Sequence, residues 1–464
     1  MHISSVWTWP AVALVSLAGI MAASPSASGA GESANEKIER RLKELEESVR
    51  ELTRNSRKLE VAEESRANQK PVAGWQDGFF LQTQDGSYQL RLGGYTHFDG
   101  RFFVGGKTSG STSQFSARRV RVDLTGTVAR YLKFRLLPDF AGSTLVLQDA
   151  YIDAAYAPWA QIRAGKTKTP YGIERLQSAT AIYFVERSIA DNLVPNRDLG
   201  VQVFGDLWLR RISYSVGLWN GVADGASSDT NPGDDFDFAG RLFLHPFSVQ
   251  RIAALRGLGI GMAGTHGRET GTPNSPNLPT FRTPGRATFF RFAADSPATA
   301  AGTTVAHGAR SRYSPQAYYY WGPFGALGEF NTTIQTVNKG SAEKSLTFRG
   351  WQVQASWVLT GENATYHGVT PAQPLDPFGA KWGAFQVAFR FAHIEADGAT
   401  FALGFADPKH SASAAKQFSL GVNWYLNSNI KLVINYDRTW FRGGAADGDR
   451  KSENVILTRV QLAF

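Results

Sequence analysis

Val455-Ile-Leu-Thr-Arg-Val-Gln-Leu-Ala-Phe464 is the stretch whose reading decides the fold. Ile456, Thr458, Val460, Leu462 and Phe464 share one face, and Leu457, Arg459, Gln461 and Ala463 share the other. That is the period of a β-strand. An apolar strand left at a sheet edge is a template for aggregation, so this one is expected to be paired. Pairing it with the first strand of its own sheet removes the edge, which is how transmembrane barrels are built.

Composition agrees with a barrel and excludes several alternatives. The 464 residues include no cysteine, 47 glycines, 30 Phe, 15 Tyr and 12 Trp. Without cysteine there is no disulfide scaffold, thiolate metal site or thiol nucleophile. The mean hydropathy of −0.25 hides no helical bundle. The one long apolar run, Ala11 to Ala23, is too short and too near the start to span a bilayer. Residues 1–30 read instead as a signal peptide with a cleavage site near Ser28-Gly29-Ala30, although the segment before Pro10 carries His2 and neither Lys nor Arg. Alternating strands conceal a membrane protein behind an average hydropathy. The terminal Phe464 after alternating apolar residues also resembles the C-terminal strand signal of bacterial outer-membrane proteins.

The formal charge of +9 has a location. Residues 31–70 carry ten acidic and ten basic side chains, so the whole excess belongs to residues 71–464. In an exported chain such an excess points to small anions or lipid phosphates rather than nucleic acid.

Glu36 to Glu64 reads as a helix. Ile38, Leu42, Leu45, Val49, Leu52 and Leu59, with Ser56 at the remaining core position, form an a/d seam over about three heptads. A self-associating coiled coil is the expected use; a solvated helix and a partner-binding arm are the alternatives. Asn68 to Gly74 reads as a linker. Residues 31–74 are thus a periplasmic segment ahead of a barrel domain over 75–464.

From Ser87 onward the period is two, as in Val120-Arg121-Val122-Asp123-Leu124 and Leu432-Val433-Ile434-Asn435-Tyr436. A soluble sandwich would also alternate. The many charges on the polar face, and the aromatic clusters Tyr318-Tyr319-Tyr320-Trp321, Trp424-Tyr425 and Trp440-Phe441, favour a barrel with interfacial girdles. About 17 alternating segments run from 88–104 to 454–464. The one at 285–293 lies in a Pro/Gly-rich stretch and is read as loop. The expected fold is therefore all-β, a 16-stranded antiparallel transmembrane barrel with a short N-terminal helical coiled-coil segment, enclosing an aqueous channel.

Ala129-Arg130, Pro158-Trp159, Gly322-Pro323 and Asn427-Ser428 read as tight periplasmic turns. Residues 105–114, 221–234, 267–309, 361–381, 396–416 and 442–453 read as long outer loops. The connection 167–198 is too apolar and too charged for a free loop, with Tyr171-Gly172-Ile173-Glu174-Arg175 and Ile182-Tyr183-Phe184-Val185-Glu186-Arg187. It is expected to fold into the lumen.

Several segments together resemble one family, the phosphate-selective porins of the O and P type. They are Phe115-Ser-Ala-Arg-Arg-Val-Arg-Val-Asp-Leu-Thr-Gly126, Leu147-Gln-Asp-Ala-Tyr-Ile-Asp153, Ile162-Arg-Ala-Gly-Lys-Thr-Lys-Thr-Pro-Tyr-Gly-Ile-Glu174, Phe184-Val-Glu-Arg187, Gly350-Trp-Gln-Val-Gln-Ala-Ser-Trp-Val-Leu-Thr-Gly-Glu362 and Gly421-Val-Asn-Trp-Tyr425. The resemblance implies a homotrimeric outer-membrane porin with an inward third loop and a lumen of Arg and Lys that favours phosphate-like anions.

Alternation gives the same lumen independently. With Val120, Val122 and Leu124 toward lipid, Arg119 and Arg121 face inward, with Arg118 beside them. Arg91, Arg101, Lys133, Arg135, Arg163, Arg390 and Arg459 follow the same rule. Lys166, Lys168, Arg175 and Arg187 fall on or beside the constriction loop. A charge on the lipid face would cost about 2–4 kcal/mol near the midplane. Guanidinium forks suit tetrahedral oxyanions, and several moderate sites conduct where one tight site would trap. Phosphate, pyrophosphate and similar oxyanions are the expected partners, along with outer-membrane lipid; no nucleic acid, cofactor or metal is expected. Arg121 occupies a position that more usually holds an aromatic in the family, and a base there is expected to widen the preference toward diphosphate.

Three alternatives stay open at this level. Lumen bases can merely balance Asp99, Asp123, Asp139, Asp149, Asp153 and Glu329 across the wall. A general or carbohydrate-conducting porin would use Tyr95, Trp219, Tyr318 and Tyr425 as an aromatic track. The helix could tether the outer membrane to cell-wall material. Eight histidines show no metalloenzyme spacing, and nothing marks a nucleophile, so no enzyme is expected.

Overall fold

The computed structural model describes residues 33–68, 71–105, 112–231, 233–250 and 252–464. The segment read as a signal peptide lies outside them. Two compact units divide at residue 67.

The first unit contains α1 (Ala34–Asn68). A capping box starts it: the Ser33 amide donates to the Glu36 carboxylate at 2.8 Å, and the Glu36 amide to the Ser33 hydroxyl at 3.3 Å. Ile38, Leu42, Leu45, Val49, Leu52 and Leu59 are all exposed, so the heptad seam lies uncovered on the single chain.

The second unit is a closed antiparallel barrel of sixteen strands. They are β1 (Gln89–Phe103), β2 (Gln114–Val128), β3 (Leu132–Asp139), β4 (Val146–Ala157), β5 (Ala160–Lys168), β6 (Arg197–Leu207), β7 (Ile212–Trp219) and β8 (Asp237–Leu244). The second half comprises β9 (Leu258–Thr270), β10 (Val305–Trp321), β11 (Phe324–Lys339), β12 (Ala342–Val358), β13 (Ala384–Glu395), β14 (Ala412–Tyr425), β15 (Ile430–Ala445) and β16 (Glu453–Ala463). Each pairs with its sequence neighbour, and β16 closes on β1 from Val455↔Phe103 to Ala463↔Tyr95. Phe464 completes the seam by exchanging backbone hydrogen bonds with Gly94 at 2.7 and 2.9 Å. The edge that the terminal strand would otherwise expose is thereby gone.

Four details differ from the sequence reading. Residues 71–74, read as linker, belong to a strand Pro71–Trp75 that pairs with Phe79–Thr83 and through it with the start of β1. Asp77 and Gly78 at positive φ make the turn, and Trp75 meets Phe79 edge-on. The connection 361–381 emerges at the end with the tight turns, not with the outer loops. The reason is the two-residue turn Gly340-Ser341, which joins β11 to β12 at the opposite end. The stretch 285–293 contributes to a separate hairpin, Thr280–Arg282 with Thr288–Arg291, and adds no strand to the barrel. Finally, the aromatic runs split by alternation. Trp321 is exposed, and Phe324 stacks on Trp357 and Phe385 on Trp424 in the outward belt. Tyr425 and Phe441 instead point inward and are buried.

The lumen is filled unevenly. Residues 169–196 fold inside and lie against β13–β16. Gly350 and Gly421 allow this close approach: a Cβ there would stand 3.2 Å from a Leu193 methyl and 3.1 Å from the Phe184 ring. Above the loop, Phe281, Phe289 and Phe290 of the separate hairpin pack with Ile189, Leu193, Phe348 and Phe441. From the turn end, the connection between β12 and β13 reaches up to the same loop. Tyr366 donates to the Ile173 carbonyl at 2.6 Å, and Gln177 donates to the Tyr366 carbonyl at 2.8 Å.

Candidate functional site

The inward loop is held by side chains whose facing positions follow from strand alternation. The Val185 amide donates to Asn435 at 3.0 Å, and the Ile189 amide to Gln417 at 2.8 Å. Asn423 donates to the Tyr183 carbonyl at 3.0 Å, and Lys431 to the carbonyls of Thr180 and Ile182 at 2.8 and 3.2 Å. The Ile173 amide donates to Glu329 on β11 at 2.8 Å. These bonds satisfy loop backbone that would otherwise be buried without partners.

On the other side of the lumen, facing β2–β8, space remains. An outer cavity of about 470 Å³ is lined by Arg118, Arg119, Arg175, Glu186, Arg187, Arg282 and Arg286 among others. A middle cavity of about 500 Å³ is lined by seven arginines, at 118, 119, 121, 135, 175, 187 and 197, and by Lys168, against the carboxylates Asp139 and Asp149. An inner cavity of about 370 Å³ continues toward the turn end past Arg135, Arg163, Lys168 and Arg241. The outer and middle cavities share Arg118, Arg119, Arg175, Arg187 and Asn196. Arg135, Asp149, Lys168 and Leu176 are common to the middle and inner ones. Shared walls make the three spaces consecutive, with four guanidinium groups at the first junction.

Most of the bases are paired. Arg121 donates to Asp139 and to the Tyr95 hydroxyl, each at 2.7 Å. Arg135 forks onto Asp123 at 2.8 and 2.6 Å and lies 3.2 Å from Asp149. Arg163 forks onto Asp153 at 2.7 and 2.8 Å with its guanidinium 3.7 Å from the centre of the Tyr151 ring. Arg175 pairs with Asp191, and Lys166 with Asp229. Arg118 donates to Glu186 at 2.5 Å, and Arg119 contacts His97 at 3.2 Å. Burial would raise the Glu186 carboxyl, but the charges of Arg118 and Arg119 and the Arg118 hydrogen bond outweigh it and hold the group well below the usual carboxylate range.

Two bases at the junctions bond to backbone carbonyls instead. Arg187 donates to the carbonyls of Glu174 and Gln177 at 3.0 Å each, and Lys168 to those of Leu176 and Gln177 at 3.2 and 3.1 Å. Neither has a carboxylate partner among the described residues. Both cap the carbonyl end of the short helix Ile173–Leu176.

The remaining residues singled out by alternation lie elsewhere. Arg390, fully buried, bridges Glu174 and Asp437 at 3.3 and 3.4 Å and donates to the Glu186 carbonyl. Arg459 forks onto Asp99 at 2.7 Å twice. Arg91, Arg101, Lys133 and Lys166, like these two, line none of the three cavities. Of the four aromatic track residues, Tyr95 lines the middle cavity, while Trp219 is sealed in the wall.

Sequence reasoning missed Arg197, Arg241, Arg282 and Arg286. The last two had a visible signal: Thr280-Phe281-Arg282-Thr-Pro-Gly-Arg286-Ala-Thr-Phe289 has an alternating arm either side of Pro-Gly, which marks a hairpin. Among the described residues, no group of three or more His, Asp or Glu is placed to hold a metal ion.

Known proteins share this architecture. The family described as phosphate-selective porin O and P matches residues 90–464. Porin O of Pseudomonas aeruginosa is 25% identical over 420 residues, spanning 83% of this chain and 91% of that protein. The outer membrane channel DcaP of Acinetobacter baumannii aligns at a TM-score of 0.55 with 12% identity, covering 85% of this chain and 100% of that one. Salmonella typhi OmpF aligns at 0.50 with 10% identity over 85% of this chain and 100% of that one. At such identities the two structures share the fold.

Proposed function

The chain belongs to the phosphate-selective porin O and P family, and from that premise we propose that its lumen is a passive path for phosphate-like oxyanions. It is an outer-membrane β-barrel porin, a transport protein and not an enzyme. The observation that carries the reading is the middle cavity, where seven arginines and Lys168 face two carboxylates. Rings of base attract anions, and guanidinium forks match tetrahedral oxyanions. Arg187 is the strongest single candidate, because its charge is permanent and its hydrogen bonds go to backbone carbonyls, with no carboxylate in direct contact among the described residues.

On this proposal Arg118, Arg119, Arg121, Arg135, Arg163, Lys168, Arg175 and Arg187 contact the permeating ion. Arg91, Arg101, Lys133, Lys166, Arg390 and Arg459 contribute field and anchorage. Spacing along consecutive cavities supplies several moderate sites, which conduction requires. Phosphate and pyrophosphate are the proposed cargo. The uncovered seam of α1 supports a second part of the proposal: the helix pairs with its copies in a periplasmic coil of a homotrimer.

Planar-bilayer recording of the refolded protein tests the path. A strongly anion-selective reversal potential, with chloride current blocked by low phosphate, is the expected result. Weak selectivity without block would favour a general porin, a reading that rests on how many wall arginines are already paired with aspartate.

A further inference from the structure

A carboxylate in the mouth of an anion path works against attraction, so Glu186 needs a reason. Its own loop does not depend on it for anchorage. The neighbouring Val185 amide is bound by Asn435, the Glu186 carbonyl accepts from Arg390, and Arg187 and Ser188 bond to Glu174. The side chain instead lines the outer cavity and is surrounded by three guanidinium groups from two separate elements. Arg118 on β2 bonds it at 2.5 and 3.3 Å, Arg119 stands 4.0 Å away, and Arg286 of the separate hairpin stands 3.8 Å away.

Two features separate this cluster from the sealed ion pairs of the wall. Arg390 with Asp437 and Arg459 with Asp99 are sealed, at 0–7% side-chain exposure, whereas Glu186 and Arg118 keep 15% and 27%. The cluster is also out of balance. Three guanidinium groups converge on one carboxylate, yet Arg118 alone is within hydrogen-bond distance of it. Donors on Arg119 and Arg286 are left facing the cavity, in a geometry that a tetrahedral dianion could bridge.

We propose that the Glu186 carboxylate is a tethered competitor, occupying the outer oxyanion site of Arg118, Arg119 and Arg286 until a multivalent oxyanion displaces it. The proposal rests on the anion-path reading above. Chloride brings one charge and no fork, so it exchanges poorly with a carboxylate bound through two hydrogen bonds. Phosphate brings up to two charges and several acceptors, so it competes well. The competitor therefore favours oxyanion over halide and keeps the site from holding its ion too long.

The test is the phosphate block of chloride current in bilayers for the wild type and for Glu186→Gln, which keeps the side-chain length and one acceptor. Removing the competitor should raise chloride conductance and lower the half-blocking phosphate concentration, by roughly tenfold given the strength of charged hydrogen bonds. Block that is unchanged or weaker in Glu186→Gln, beside a wild type that is blocked, would overturn the competitor and make Glu186 a clamp. A wild type that phosphate does not block would overturn the anion path itself. Should Glu186→Gln fail to refold, Arg286→Met on the hairpin takes its place. Weaker block there supports the site, and unchanged block overturns it.

Discussion

Arg118 and Arg119 are adjacent in sequence, yet both reach the lumen. The register opposite them runs from His97↔Arg119 to Phe98↔Ala117, so Arg118 is the extra residue of a β-bulge. In a regular strand one of the two would face lipid. The bulge turns an alternating pattern into a double base at the junction of the outer and middle cavities, where Arg118 also holds Glu186.

Arg187 should dominate selectivity. Replacing it with Met removes a permanent charge that no carboxylate contacts directly among the described residues. The half-blocking phosphate concentration is expected to rise about tenfold, with the anion/cation permeability ratio falling alongside it. Reversal potentials in a salt gradient give both, and a ratio equal to wild type would remove Arg187 from the path.

Arg390 should matter to stability before selectivity. Arg390→Met leaves Glu174 and Asp437 facing each other across a sealed space and frees the loop backbone at Glu186. The loss is expected at about 3–5 kcal/mol, as for other buried pairs broken on one side. A lower thermal unfolding midpoint with larger, noisier single-channel conductance is the expected signature.

Arg121 couples stability to cargo size. Arg121→Phe strands the buried Asp139, so the single variant should unfold earlier. Adding Asp139→Leu should restore most of the loss. In that double variant the affinity for pyrophosphate relative to phosphate should fall severalfold if Arg121 widens the cargo range; equal ratios would sink that role.

The Glu186 carboxyl is held down by Arg118 and Arg119 once its burial is overcome. A group with a depressed folded value contributes stability that is fully present above its unfolded value, near about 4.3 for glutamate. That contribution is lost only as pH falls through the lower folded value. Chloride conductance should therefore stay level from pH 8 to about 5, and rise only in stronger acid. A rise already complete between pH 7 and 5 would contradict the ion pair.

Leu45→Lys with Leu52→Lys places charge in the uncovered seam of α1. If the helix clamps a trimer, the trimer band on mild native gels should dissociate at a lower temperature. An unchanged trimer in a weakened envelope would instead assign the helix to tethering.

The sequence by itself determined most of what depends on local period. Alternation gave strands, the terminal Phe464 gave closure, dropping one weak segment gave sixteen strands, and the heptads gave α1. It also told inside from outside for Arg119, Arg121 and Arg135, because a strand has only two faces. Tertiary structure decided which inward bases stay open to the path. Arg390 is closed off by Glu174, 216 residues away, and Arg459 by Asp99, 360 residues away. Arg282 and Arg286 enter the outer cavity because a hairpin of phenylalanines folds into the barrel above the inward loop. The placement of residues 361–381 at the turn end hung on a two-residue turn, Gly340-Ser341. Such outcomes are set by contacts between segments far apart in the chain, and periodicity carries no information about which distant segment will occupy a lumen.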